Sequence, residues 1–361
     1  MIAADRPRQR PRDAKLLLVD AKGRLAHAPR SRFLEYLRPG DLLVANDAAT
    51  LPASLPGIHG PTGAPIEVRL AGRSSLRPDD VRTFSAVVFG AGDFRTRTED
   101  RPLPPALLPG DHVAFGSAVA SSHGLLTGRV RAVLEHPRLV SLNFDGEPRD
   151  IWAGLARVGR PIQYAHLRAP LALWDVWTSI AALPAAFEAP SASFVLDWTS
   201  IHAMRQRDIR FATITLAAGI SSTGDPDLDR LLPFDEPYRI SGHAAVAIQR
   251  ARAKSGRVVA IGTTVVRALE HAGRDGTLRT GEGVADQRIG PTSPLHVVDA
   301  IISGTHEPDS SHYQMLRAFA SDRVLAEASA SLEAEGYRTH EFGDSVLIEK
   351  DFRLERVRAA A

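Results

Sequence analysis

Between about Pro52 and Pro148 the chain carries the short runs PIEVRLAG (65–72), FSAVVFG (84–90), DHVAFG (111–116), LLTGRVRAVLE (125–135) and LVSLNF (139–144), parted by turn clusters such as PGD (109–111) and FDGEP (144–148). Alternation with a period of two, and no helical period between the runs, restricts this stretch to a small antiparallel barrel or sandwich. The flanks follow another pattern. LLLVD (16–20) and DLLVAN (41–46) read as buried strands around SRFLEYL (31–37), a short helix with Ser31 as its N-cap. Beyond 150, helical patterns at 197–208, 241–256, 264–273 and across 312–335 alternate with strands at 209–217, 258–261, 296–303 and 345–349. The Gly/Thr-rich stretch 273–292 reads as a long loop.

These patterns predict an α/β protein, its mixed or parallel sheet covered by helices and interrupted by an inserted antiparallel β-barrel domain. The expected boundaries are a mobile Arg/Pro-rich tail over 1–13, an α/β domain over 14–51 and 149–361, and the barrel over 52–148. With 361 residues and 44% hydrophobic content, the chain can bury a sizeable core. It has no cysteine, which excludes disulfides and thiolate metal sites, and no apolar run near the roughly 18 residues of a membrane span. A cytoplasmic protein with no membrane partner is expected. Arginine supplies nearly all the cations, the lysines being Lys15, Lys22, Lys254 and Lys350, yet the net charge is only +2. That is a weak nucleic-acid footprint.

Most generic catalytic signatures are missing. There is no GxSxG, no GxxxxGKS and no HExxH, and GAGDF (90–94) falls inside the β-rich stretch instead of between a strand and a helix. The 13 histidines are scattered without metal-ligand spacing, so no metal is expected. One segment stands out. In VVAIGTTVVRALE (258–270), Gly262, Thr263 and Thr264 lie where a strand hands over to a helix. Glycine permits close approach of a ligand, the hydroxyls can bond it, and the helix presents N–H groups to anions or sugar hydroxyls. The same residues also suit a plain βα turn, with Thr264 as N-cap and Arg267/Glu270 as a surface pair.

GTTVVRALE resembles the GTT-x-VR-x-LE signature of the S-adenosylmethionine:tRNA ribosyltransferase-isomerases, which install epoxyqueuosine in tRNA. Other stretches agree in the same order: PGDLLVAND with LPA (39–53), IEV (66–68), AP-S-A (189–192), TL-x-x-G (215–219), VVDA (297–300) before His306-x-Pro308, and FGD (342–344). The resemblance covers about residues 10–350 and implies an α/β domain with an inserted barrel, S-adenosylmethionine as donor substrate, and tRNA as partner.

Carried over residue by residue, it suggests Glu236 as a base and His306 as a proton donor or ribose contact. It suggests Gly262, Thr263, Thr264, Arg267, Pro190, Ser191, Ser193, Gly219 and Asp344 as substrate-binding residues. Asp299 is a further expected supporting residue, and Trp174, Trp177 and Trp198 are candidates to stack on adenine or face the sulfonium. Departures are equally specific. Val195, Ala217 and Phe234 stand where the family has histidines, Ser193 where it has glycine, and Ala49 and Ser54 where it has arginines. Three functions follow as expectations: an S-adenosylmethionine-dependent transferase/isomerase with an acceptor other than the usual tRNA base, a genuine tRNA ribosyltransferase-isomerase, or a non-catalytic nucleoside- or RNA-binding relative.

Overall fold

A computed structural model describes residues 1–7, 13–116, 126–308 and 310–351. Its framework is a nine-stranded mixed sheet in the spatial order Gly281–Ala285, Glu236–Ile240, Arg210–Leu216, Leu42–Asn46, Val258–Ile261, Ala300–Gly304, Ser345–Glu349, Lys15–Val19, Leu25–Pro29. Four central strands, from Arg210–Leu216 to Ala300–Gly304, run parallel. Their residues alternate between two apolar layers. Leu42, Val44, Val258 and Ala260 face one, and Leu43, Ala45, Val259 and Ile261 face the other. A sheet covered on both faces needs such continuous apolar strands. The first layer is filled from helices Gly242–Ala253, Thr263–Gly273 and Asp322–Ala334, the second by Phe33, Val195 and Met204.

The β-rich stretch closes into a six-stranded antiparallel barrel, ordered Leu126–Val133, Leu139–Phe144, Thr83–Phe89, Pro65–Gly72, Ser54–His59, His112–Phe115. The strand Ser54–His59, absent from the sequence reading, makes closure possible. Pro56 points outward, and Gly57 lets the neighbouring strand come close: a Cβ there would lie 2.7 Å from the Ala114 carbonyl oxygen.

Several local expectations change. Ile2–Ala3 pairs in parallel with Arg338–Thr339, so the start of the expected mobile tail is tied to the domain, while 8–12 lie outside the described residues. The segment after Pro29 is a 3-10 helix, Arg30–Tyr36, begun by Pro29 and not by Ser31. The strand expected at 296–303 shortens to Ala300–Gly304. The pattern across 312–335 divides into Ser311–Leu316 and Asp322–Ala334, the second capped by Ser321. Within the expected loop 273–292, Gly281–Ala285 forms the edge strand against Glu236–Ile240. Among the described residues no helix is long and apolar enough to cross a membrane.

Candidate active site

The carboxyl ends of the four parallel strands open on one edge of the sheet, and the antiparallel strands Glu236–Ile240 and Ser345–Glu349 begin there. Asn46, Ala217, Gly262, Thr305, Glu236 and Asp344 are therefore brought to a common rim, the usual ligand crevice of an α/β sheet. Gly262 ends the strand Val258–Ile261 with φ 93° and ψ 155°, a conformation all but reserved for glycine. It is the N-cap of the helix Thr263–Gly273, the position expected for Thr264, and no side chain caps that helix. Its amide donates to the Ile302 carbonyl at 2.8 Å, and a Cβ on it would lie 3.4 Å from the Ala192 Cβ. The GTT turn thus abuts the 189–192 segment. Asn46 braces the same corner, donating to the Leu216 carbonyl at 3.0 Å and reaching the Thr264 hydroxyl at 3.5 Å.

Glu236 is buried and committed. One carboxylate oxygen accepts from the Gly219 amide at 2.8 Å and the other pairs with Arg267. Burial pushes its pKa above the ordinary value, against the pull of Arg267 and the Gly219 N–H. Arg267 also donates to the carbonyls of Ala285 (2.8 Å) and Gln287 (3.2 Å), so it holds the edge strand instead of facing a ligand. The expected Arg267/Glu270 surface pair is not formed. Both residues are buried, and Glu270 accepts the amides of His296, Val297 and Val298 at 2.6–3.0 Å.

Asp344 accepts the Lys15 and Arg338 amides at 2.7 and 2.8 Å, fixing strand ends at the rim. Asp299 accepts the Val258 amide at 2.9 Å, at the opposite end of that strand from Gly262, too far along the sheet to support the site. Pro190 precedes the 3-10 helix Ser191–Val195, in which Ser193 is fully buried with no hydrogen-bond partner for its hydroxyl. Trp174 and Trp198 are 74% and 70% exposed, and Trp177 is 42% exposed with its ring N–H on the Thr50 carbonyl. None of the three belongs to the buried core or borders the Glu188 cavity.

Beside Ala189 the fold gathers titratable groups that sequence spacing did not single out. A cavity of about 20 Å³, room for a single water, is bordered by Gln163, Tyr164, Glu188, Ala189 and Glu341. The Tyr164 hydroxyl donates to Glu188 and lies 3.1 Å from the Ser222 carbonyl. Burial, followed by the nearby charge of Glu341, drives the Glu188 pKa up to about 7, while hydrogen bonds from Tyr164 and Ser221 oppose the rise. His166 Nε2 lies 3.2 Å from a Glu341 oxygen. Burial alone would raise the Glu341 pKa, but the bond and charge of His166, with the backbone N–H of Glu341 itself and the charge of His340, together hold it below the ordinary carboxylate value. His306 stacks on His312 at 4.6 Å, with Nε2 2.9 Å from the Ser303 hydroxyl. Burial, reinforced by His312 and His340, holds His306 well below the usual imidazole value and so neutral. His306 was expected from its His306-x-Pro308 motif; for the others the sequence signal was the adjacency of Glu188 to Ala189-Pro190 and of His340-Glu341 to Phe342-Gly343.

The family described as queuosine biosynthesis protein matches residues 1–348. The S-adenosylmethionine:tRNA ribosyltransferase-isomerases of Thermus thermophilus and Anaeromyxobacter dehalogenans are 32% and 34% identical to this chain, over 94% of it and 93% of each relative. The chain belongs to the S-adenosylmethionine:tRNA ribosyltransferase-isomerase family. In fold it is similar to the crystal structure of an S-adenosylmethionine tRNA ribosyltransferase from Thermotoga maritima (TM-score 0.50, 23% identity, 96% of each chain).

Within this ribosyltransferase-isomerase framework the positions expected to differ from the family lie in apolar or structural surroundings. Val195 belongs to the same apolar cluster as Ile261 and Ile302, Ala217 is fully buried, and Phe234 lies against the core with its carbonyl accepting from Arg267. Ala49 is buried in a short strand beside Leu183–Ala186, and Ser54 donates to Glu67 at 2.8 Å.

Proposed function

We propose that this chain is an S-adenosylmethionine-dependent ribosyltransferase-isomerase acting on a tRNA base. The convergence at one sheet edge of the Gly262-Thr263-Thr264 turn, the uncapped N-terminus of the helix Thr263–Gly273 and the 189–193 segment carries this reading. Unpaired helix N–H groups with threonine hydroxyls suit the methionine carboxylate or ribose hydroxyls. The sulfonium acidifies the adjoining C5′ hydrogen, so the site needs a group that takes that proton before the ribose rearranges with loss of adenine and methionine. Glu188 fits that demand better than Glu236: its carboxyl titrates near neutral pH, whereas Glu236 is paired with Arg267. His306, neutral and held by Ser303, is the candidate for the second proton transfer, and Glu236, Arg267 and Asp344 are assigned to holding the strand ends.

A second reading keeps the donor and changes the acceptor. The apolar packing of Val195 and Ala217, and the absence of cations at Ala49 and Ser54, favour it, because phosphate positioning relies on cations. One assay separates the two. The protein is incubated with S-adenosylmethionine, with and without tRNA carrying 7-aminomethyl-7-deazaguanine, and adenine and methionine are followed by mass spectrometry. Release that requires tRNA supports the first reading, and release without it the second. No release in either arm overturns both.

A further inference from the structure

We propose that His166, His340 and Glu341 form a binding site for a divalent transition-metal ion of the zinc or cobalt class, at the edge of the Glu188 cavity. The sequence disguises this set, because His166 lies far along the chain from the adjacent pair His340-Glu341. The fold removes that separation. His166 Nε2 is 3.2 Å from a Glu341 oxygen, the rings of His166 and His340 stack at 4.3 Å, and one donor atom from each of the three residues lies within 4.8 Å of the others.

Donors bound at about 2.0–2.2 Å to a tetrahedral ion sit roughly 3.4 Å apart, so the donor spacing is near that of a bound set, and the stacked rings must turn for both lone pairs to meet on one ion. His340 is exposed and is the ring free to turn. Two imidazoles with one carboxylate select a borderline ion over magnesium or calcium, which prefer sets made only of oxygen. The carboxylate supplies the neutralising charge, and three protein donors leave a position for water or a ligand oxygen. Glu341 also borders the cavity lined by Glu188 and Tyr164. This inference does not depend on the reaction proposed above.

The test uses the full chain, stripped with a chelator and titrated with Co²⁺ while the visible absorption of the bound ion is followed. Saturable one-to-one binding, displaced by Zn²⁺, is expected. His340→Gly removes a donor at a residue with φ 70°, which glycine tolerates, and should weaken binding by about tenfold or more. Glu341→Gln should weaken it similarly, each variant being checked by its melting curve. His243→Ala, at an exposed histidine on the helix Gly242–Ala253, should bind as the parent does. Absence of saturable binding overturns the proposal. So does undiminished binding in either folded site variant, or an equal loss in His243→Ala.

Discussion

Glu236 is buried and Glu188 half-buried, and their surroundings give them different freedom. The Glu188 pKa of about 7 in the folded protein, against an ordinary value of 4.5, means that between these values the folded state holds a proton that the unfolded state has lost. Stability from this group is therefore greatest at low pH and falls as pH rises through the window, by up to about 3 kcal/mol. Glu188→Gln keeps an acceptor for Tyr164 without the charge. It should raise the melting temperature at pH 8 and leave it nearly unchanged at pH 4.5. If Glu188 is the proton acceptor, the same variant should lower adenine release by about 100-fold or more. A variant that turns over at the parental rate removes it from the reaction.

Glu236→Ala should act differently, stranding the buried Arg267 at a cost of about 3–5 kcal/mol, readable by denaturant titration. Parental stability with abolished turnover would return the role of base to Glu236. Sequence reasoning reached Glu236 because it stands in a recognisable motif. It could not foresee Arg267, 31 residues away, as its partner. Glu188 carried no chemical signal until Tyr164, His166 and Glu341 came together around it.

The βα unit at 258–273 was legible as an element, since VVAI is wholly buried and the following helix has its apolar stripe. The cap was not, because a positive φ at Gly262 leaves no trace in a hydrophobic pattern. Gly262→Ala should cost about 1–3 kcal/mol, from the glycine-only backbone conformation, since a Cβ there would meet Ala192 only at ordinary contact distance. Because the turn would have to shift, the affinity for S-adenosylmethionine in a calorimetric titration should fall as well. Unchanged affinity would separate the turn from the ligand. The edge strand Gly281–Ala285 escaped notice for a related reason. It is held by backbone pairing to Glu236–Ile240 and is mostly exposed, so it needs no alternation of apolar residues.

For the molecule as a whole, the interruption of an α/β sheet by a barrel was readable from the change of period, but the charged knot inside the junction was not. Glu67, in the IEV stretch, is buried and accepts from Ser54 at 2.8 Å and Arg69 at 2.7 Å through one oxygen, and from Arg101 at 2.5 Å through the other. Arg101 clamps the Gly90 and Gly92 carbonyls at 2.7 and 3.0 Å, and Arg69 stacks over Phe89 and reaches the Gln163 carbonyl beyond the barrel. One carboxylate thus ties two barrel strands, the 90–101 loop and the chain leading back to the α/β sheet. Burial opposes its charge, but the two arginines prevail and hold its pKa below 4.5. Its contribution is therefore complete above that pH and is lost as pH falls through the depressed value. Glu67→Ala would leave two guanidiniums buried without a counter-charge, and should destabilise the protein by about 3–5 kcal/mol at neutral pH. Denaturant titration of parent and variant at pH 7 and again near pH 3 should show the gap narrowing in acid. A loss below about 0.5 kcal/mol at pH 7 would mean that water reaches the arginines and that apolar packing alone holds the barrel to the sheet.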